Sequence, residues 1–214
     1  MPLILAVDTT NEYGSLALVR AGQLLEEAVL HAPGSFSPVL YEELRRLLDR
    51  HGVKLVDVDC FAAASGPGTF TGVRVALACV KGLAEATGRP AVAVSNLQAV
   101  ARSGTAPLRG VLLDARRGEF YAAVYDAAGN LVTPEVVTRL EPWLASLPAG
   151  VEEFLSWDLA LDLGKARVLP APRALAAAIG HIAGERLARG EAVDPALLDA
   201  NYVRRTDAEL ALKV

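Results

Sequence analysis

Cysteine, histidine and positive charge are all scarce in this chain, and each scarcity removes a class of function. Among its 214 residues there are two cysteines, Cys60 and Cys79, too few for a disulfide framework or a cysteine zinc cluster. Each sits in an apolar run, so both are read as buried, inert thiols. The three histidines, His31, His51 and His181, are widely separated and lack the His-x-x-x-His and His-Glu-x-x-His spacings of zinc hydrolases, so no metal site is predicted. No Gly-x-Ser-x-Gly elbow is present for a serine hydrolase. With 21 Lys and Arg against 25 Asp and Glu, the net charge is -4, which provides no general attraction for a phosphate backbone. Long apolar runs are missing as well. Leu3-Ile4-Leu5-Ala6-Val7 ends at Asp8 and has no basic leader, which makes it a strand rather than a signal peptide. Lys81 interrupts the run around Cys79, leaving no membrane span and pointing to the cytoplasm.

What is present is a compact, apolar chain, 52% hydrophobic and 21% charged, with enough length to bury a substantial core. The first thirty residues read as three strands, broken at Asp8-Thr9-Thr10-Asn11 and at Ala21-Gly22. A helix follows, with Ser37 as its cap, Pro38 in its first turn, and Leu40, Leu44, Leu47 and Leu48 at helical spacing until Gly52. Next come a buried strand over 60–64, a glycine-rich turn, a helix to about Ala86 and a strand over 91–94. The order β-β-β-α-β-α-β predicts a mixed sheet carrying helices. Near residue 110 the pattern begins again. Leu113-Asp114-Ala115-Arg116-Arg117-Gly118 can be laid on Val7-Asp8-Thr9-Thr10-Asn11-Glu12, and Phe120 to Tyr125 on the second strand, which suggests an internal duplication. Gly104 and Pro107 break periodicity between the halves, giving domains 1–103 and 104–214. After residue 133 prolines punctuate short elements, and only 173–189 offers a long helix, with Leu175, Ile179, Ile182 and Leu187 on one side.

The strongest local feature is Ser65-Gly66-Pro67-Gly68-Thr69-Phe70-Thr71-Gly72-Val73-Arg74, between a buried strand and a helix. Gly66, Gly68 and Gly72 allow close backbone approach, and Thr69 or Thr71 can cap a helix whose free amides attract an anion. It matches neither common phosphate loop: Val73 stands where a P-loop needs lysine, and Thr71 where a dinucleotide fingerprint needs glycine. A tight turn with glycines for packing alone remains the alternative. Asp8 and Thr9, with Thr10, can hold a magnesium-bound phosphate or form a self-capped hairpin turn. The helix over 73–84 is apolar on nearly all sides, with Val73, Leu77, Val80 and Leu83 on one face and Val75, Ala78 and Cys79 on the other. Such a helix is either fully buried or shared with a partner.

Several stretches, in order and across almost the whole chain, closely resemble the TsaB (YeaZ) family. They are Leu5-Ala6-Val7-Asp8-Thr9-Thr10; Gly66-Pro67-Gly68-Thr69-Phe70-Thr71-Gly72-Val73-Arg74 running on to Lys81-Gly82-Leu83-Ala84; Val94-Ser95-Asn96-Leu97; Asp114-Ala115-Arg116-Arg117-Gly118-Glu119-Phe120-Tyr121; and Asn201-Tyr202-Val203-Arg204-Arg205. The resemblance implies α/β architecture in duplicated actin-like (ASKHA, ribonuclease-H-like) lobes, with mixed sheets flanked by helices. It implies a subunit of the machinery that places threonylcarbamoyl on adenosine 37 of tRNA, working with a catalytic paralogue, TsaD, and an ATPase, TsaE. In TsaD a histidine pair on the first helix binds the metal, whereas Ser35-Phe36-Ser37-Pro38-Val39-Leu40-Tyr41 contains no histidine. A non-catalytic role follows, with Ser37, Leu40, Tyr41, Leu44, Val75, Ala78 and Cys79 as interface candidates on the first two helices. Asp8, Thr9, Gly66, Gly68, Thr69, Thr71, Gly72 and Arg74 are the candidates for nucleotide or anion contact. The resemblance further implies a homodimer when alone, tRNA contact only through the complex, and no tightly bound cofactor beyond ATP or ADP at the partner junction. An ATP-dependent phosphotransferase using Asp8, Thr9 and the glycine loop is the competing reading.

Overall fold

A computed structural model describes residues 1–31, 36–158 and 160–203. Ser35, Arg204 and Arg205, which carry part of the resemblance, lie outside the described residues. The described residues form two compact units, one within 1–99 and 173–200, the other within 100–172 and 201–203. In the first, strands β1 (Leu3–Asp8), β2 (Tyr13–Arg20), β3 (Gln23–His31), β4 (Cys60–Ala64) and β5 (Ala91–Val94) lie in the order β3-β2-β1-β4-β5. The three leading strands are antiparallel, and β4 and β5 run parallel to β1. In the second unit β6 (Leu108–Asp114), β7 (Phe120–Asp126), β8 (Leu131–Thr138), β9 (Glu153–Ser156) and β10 (Arg167–Pro170) repeat this order as β8-β7-β6-β9-β10. The duplication read from paired Asp8 and Asp114 is therefore present in the topology, each aspartate ending the central strand of its sheet.

Every residue of β1 is buried, because helices cover both faces of the first sheet. Leu3, Leu5 and Val7 join a core with α1 (Ser37–Arg50) and α2 (Phe70–Thr87), where Leu40, Leu44, Leu47, Val73, Ala76, Leu77 and Val80 meet them. On the opposite face α5 (Ala176–Ala188) comes close enough that a Cβ on Gly180 would sit 2.7 Å from Val19 Cγ2 and 3.5 Å from Ala6 Cβ. The boundary expected from sequence differs here: residues 173–200 pack with the first unit, not the second. Small residues on α5 permit this approach, and Ile4 and Ala6 supply the apolar surface that receives it.

The helix starts follow local chemistry. Ser37 is the first residue of α1 rather than its cap; Phe36 occupies that position, with Pro38 in the first turn. Thr69 caps α2, its hydroxyl accepting from the Gly72 amide at 3.2 Å. Gly88 closes α2 in the left-handed conformation that glycine adopts without penalty. Both thiols are buried as expected: burial, with Asp59 adding to it, pushes Cys60 up to about 12, and burial pushes Cys79 up to about 11.

In the second unit Trp143 of α4 (Leu140–Ala145) packs edge-on against Phe154 with ring centroids 6.0 Å apart. Glu153, also inside, is not orphaned: it accepts from the Thr105 amide at 2.6 Å, the Thr105 hydroxyl at 2.8 Å, the Ala106 amide at 3.1 Å and the Arg167 guanidinium. Burial alone would raise this carboxyl; these donors outweigh it and hold it at about 2.

Candidate functional site

The end of β1 and the glycine loop do come together, but by packing on each other. The Thr9 hydroxyl donates to the Gly72 carbonyl at 2.7 Å, and the Thr69 amide donates to the Thr10 carbonyl at 2.8 Å. A Cβ on Gly72 would lie 2.0 Å from the Thr9 carbonyl oxygen, and one on Gly68 2.7 Å from Thr10. The glycines therefore let two backbone segments touch. Asp8 and Thr9 are left 0% and 1% exposed, so neither is open to a ligand as the sequence reading required. Gly66 is buried too, while Gly68, Thr69, Thr71 and Arg74 face outward at the start of α2, where the Arg74 guanidinium lies 3.6 Å from the centre of the Phe70 ring. The candidate anion site is thus divided into a buried set and an exposed set.

The buried set is a hydrogen-bonded chain. Asp8 Oδ1 accepts from the Thr10 amide at 2.9 Å and the Thr10 hydroxyl at 2.6 Å, and that hydroxyl accepts from Asn96 Nδ2 at 2.5 Å. Asn96 in turn exchanges bonds with Gly66: its amide donates to the Gly66 carbonyl at 2.8 Å, and its Oδ1 accepts from the Gly66 amide at 3.2 Å. By strand alternation Asp8 shares the sheet face of Ile4 and Ala6, under the start of α5. Sequence reading missed the neighbours that serve that helix. Ser15 Oγ accepts from the Ala176 amide at 3.0 Å and Glu27 Oε1 from the Ala177 amide at 2.9 Å, so side chains of β2 and β3 satisfy the opening amides of α5. Polar residues within otherwise apolar strands are the signal that could have found them.

Among the described residues, buried Asp8 Oδ2 has no hydrogen-bond partner. Burial is the largest influence on this carboxyl and raises it to about 6; the Thr10 hydroxyl and amide oppose the rise, Glu27 adds to it, and the Leu175 backbone opposes it. Because the folded chain holds this proton more tightly than the unfolded one, Asp8 lowers stability as pH rises from about 4 to about 6, and the full penalty applies above that range. Asp8→Asn should therefore stabilise the fold at pH 7 by about 1–3 kcal/mol and change it little at pH 4, as read by urea unfolding at both values. Destabilisation at pH 7 that exceeds any at pH 4 would instead show that the charge itself is needed.

The interface candidates divide by helix face. Leu40, Leu44 and Cys79 are buried in the first unit's own core and cannot meet a partner, which corrects the sequence expectation for these three. The spacing of Leu40, Leu44, Leu47 and Leu48 commits that side of α1 to the sheet. Ser37, Tyr41 and Ala78 face outward and Val75 is half-buried. Tyr41, 58% exposed, sits above Cys79 within hydrogen-bonding reach, linking the outward surfaces of α1 and α2. Val39 and Gly82 extend this surface, which is apolar or small-chained between the exposed charges of Glu42, Arg45 and Glu85.

Two kinds of likeness bear on the site. A family model described as TsaD: tRNA N6-adenosine threonylcarbamoyltransferase matches residues 32–193. The tRNA threonylcarbamoyladenosine biosynthesis protein TsaB of Bacillus subtilis (strain 168) is 32% identical over 67% of this chain and 65% of its own length. The TsaB protein of Escherichia coli (strain K12) is 31% identical over 76% of this chain and 75% of its own length. The chain belongs to the TsaB (YeaZ) family. The solved structure of YeaZ from Pseudomonas aeruginosa superposes with a TM-score of 0.81 at 31% identity, covering 94% of this chain and all of that one. The architecture, two mixed five-stranded sheets flanked by helices, is the two-lobed actin-like fold of TsaB proteins. The matched stretch spans less than two thirds of the Bacillus relative, so what the whole of that protein does is a matter for proposal. Among the described residues no helix is long and apolar enough to cross a membrane.

Proposed function

We propose that this chain is a non-catalytic scaffold subunit that pairs with TsaD, and with TsaE, for N6-threonylcarbamoylation of adenosine 37 in tRNA, and that it forms a homodimer when alone. The observation that supports this most is the outward surface of α1 and α2. Ser37, Val39, Tyr41, Ala78 and Gly82 lie exposed on helices whose opposite faces already fill the core, so the surface is available without unfolding anything. Small residues at Ala78 and Gly82 let a second helix approach closely. The names of the Bacillus and Escherichia relatives supply the pathway. A phosphotransferase needs phosphate-accessible Asp8 and Thr9, and the burial of both argues against that reading. ATP or ADP, where it takes part, belongs at the junction with the partner, and the cytoplasm is the compartment in which such tRNA chemistry would take place.

The test is reconstitution. Purified TsaD, TsaE, ATP, threonylcarbamoyl-AMP and unmodified tRNA should yield modified adenosine only when this chain is added. Equal modification in its absence would overturn the proposal.

A further inference from the structure

The turn between β6 and β7 has a backbone its topology does not require. Arg116, Arg117 and Gly118 have φ of 64°, 58° and 72°, three successive residues in the left-handed region, where only the glycine sits without strain. The turn is nonetheless fixed: Asp114 Oδ1 accepts from the Arg116 amide at 2.7 Å, the Ala115 amide donates to the Glu119 carbonyl at 2.9 Å, and the Glu119 amide donates to the Arg116 carbonyl at 3.1 Å. The equivalent turn of the first unit, after Asp8, uses the same aspartate-to-amide bond, at 2.9 Å, yet none of its residues has a positive φ. It turns Thr9 and Thr10 inward. The second turn instead leaves Arg116 and Arg117 exposed. Strand register then adds a third cation: Phe120 pairs with Thr138, so exposed Arg139 follows the end of β8 on the same rim. Glu119 and Glu141 also lie there, and one oxygen of Asp114 is tied to the turn backbone.

Strain retained at an exposed site points to function. The exposed residues of the turn itself, Arg116, Arg117 and Gly118, are charged or lack a side chain, unlike the apolar centre of a protein interface. What the turn offers is guanidinium forks, which suit phosphodiester oxygens. We propose that the Arg116–Arg117 turn, with Arg139 beside it, is a contact for the phosphate backbone of the RNA that the assembly modifies. This rests on the scaffold reading above.

The experiment replaces Arg116→Asn and Arg117→Gly together, residues that tolerate the left-handed backbone, and uses the chain mixed with TsaD, TsaE and ATP. Fluorescein-labelled unmodified tRNA transcript is titrated at several salt concentrations. The variant should melt a few degrees higher because the strain is relieved. It should still co-elute with TsaD, bind the transcript at least ~10-fold more weakly, and show a salt slope shallower by about two. Unchanged affinity and slope would overturn the inference, as would loss of co-elution, which would make the turn a protein contact. Failure of the wild-type chain to join TsaD would instead overturn the scaffold reading, and the inference with it.

Discussion

Leu40→Glu is expected to unfold the chain, whereas Ala78→Glu on the neighbouring helix should leave it folded. Leu40 is 0% exposed and sits among Leu44, Leu47 and the first sheet, where a carboxylate finds neither water nor a donor. The penalty for a lone buried charge is several kcal/mol, comparable with the whole stability of a domain of this kind. Ala78 faces water, and glutamate there is a good helix former with nothing to displace. Far-ultraviolet circular dichroism and a thermal melt of both variants would check this. A folded Leu40→Glu would mean that α1 presents the opposite face to the sheet.

The second large effect is expected at Gly72. An added methyl group would sit 2.0 Å from the Thr9 carbonyl oxygen and 2.6 Å from the Thr69 hydroxyl. The first of these is backbone in a fully buried strand end, so it cannot swing aside; α2 would have to lift from β1 and break the 2.7 Å bond from the Thr9 hydroxyl to the Gly72 carbonyl. Gly72→Ala should cost about 3 kcal/mol of stability, and valine more, as measured by urea unfolding. Gly82→Ala is the control, because a Cβ there meets nothing within 4 Å and alanine improves helix propensity. A tolerated Gly72→Ala would show that the loop stands away from the strand and leaves room for a ligand.

The fold was most legible where strands are buried on both faces. Cys60–Ala64 and Ala91–Val94 have the bounds that their uninterrupted apolar runs predict, and the paired aspartates marked the duplication. It was least legible after residue 133. β9 begins at Glu153 and ends at Ser156, both buried and polar, so its apolar run is too short to read. β10 carries Arg167 and Pro170 on an open edge. That α5 belongs with the first unit depends on Gly180 meeting Val19 across most of the chain, a pairing no local pattern encodes.

At the site, the sequence correctly signalled close backbone approach in the glycine loop but not what approaches. A glycine required by a phosphate and a glycine required by a carbonyl look the same, and only the 2.0 Å clearance at Gly72 separates them. Helical periodicity likewise paired Leu40 with Leu44, and Val75 with Ala78 and Cys79, without saying which side meets the sheet. On α2 the two apolar sides differ only in size, Val80 and Leu77 against Ala78 and Gly82, and bulk decides which one fills the core.

The proposed pairing of this chain with TsaD is tested most directly by size-exclusion chromatography of purified mixtures at micromolar concentrations. The wild-type chain should elute with TsaD in one peak. The folded Ala78→Glu variant should elute apart, its affinity lowered at least ~100-fold by an unpaired charge at the centre of the contact. Separate elution of the wild-type chain and TsaD, or joint elution of TsaD with wild type and variant alike, would contradict the account.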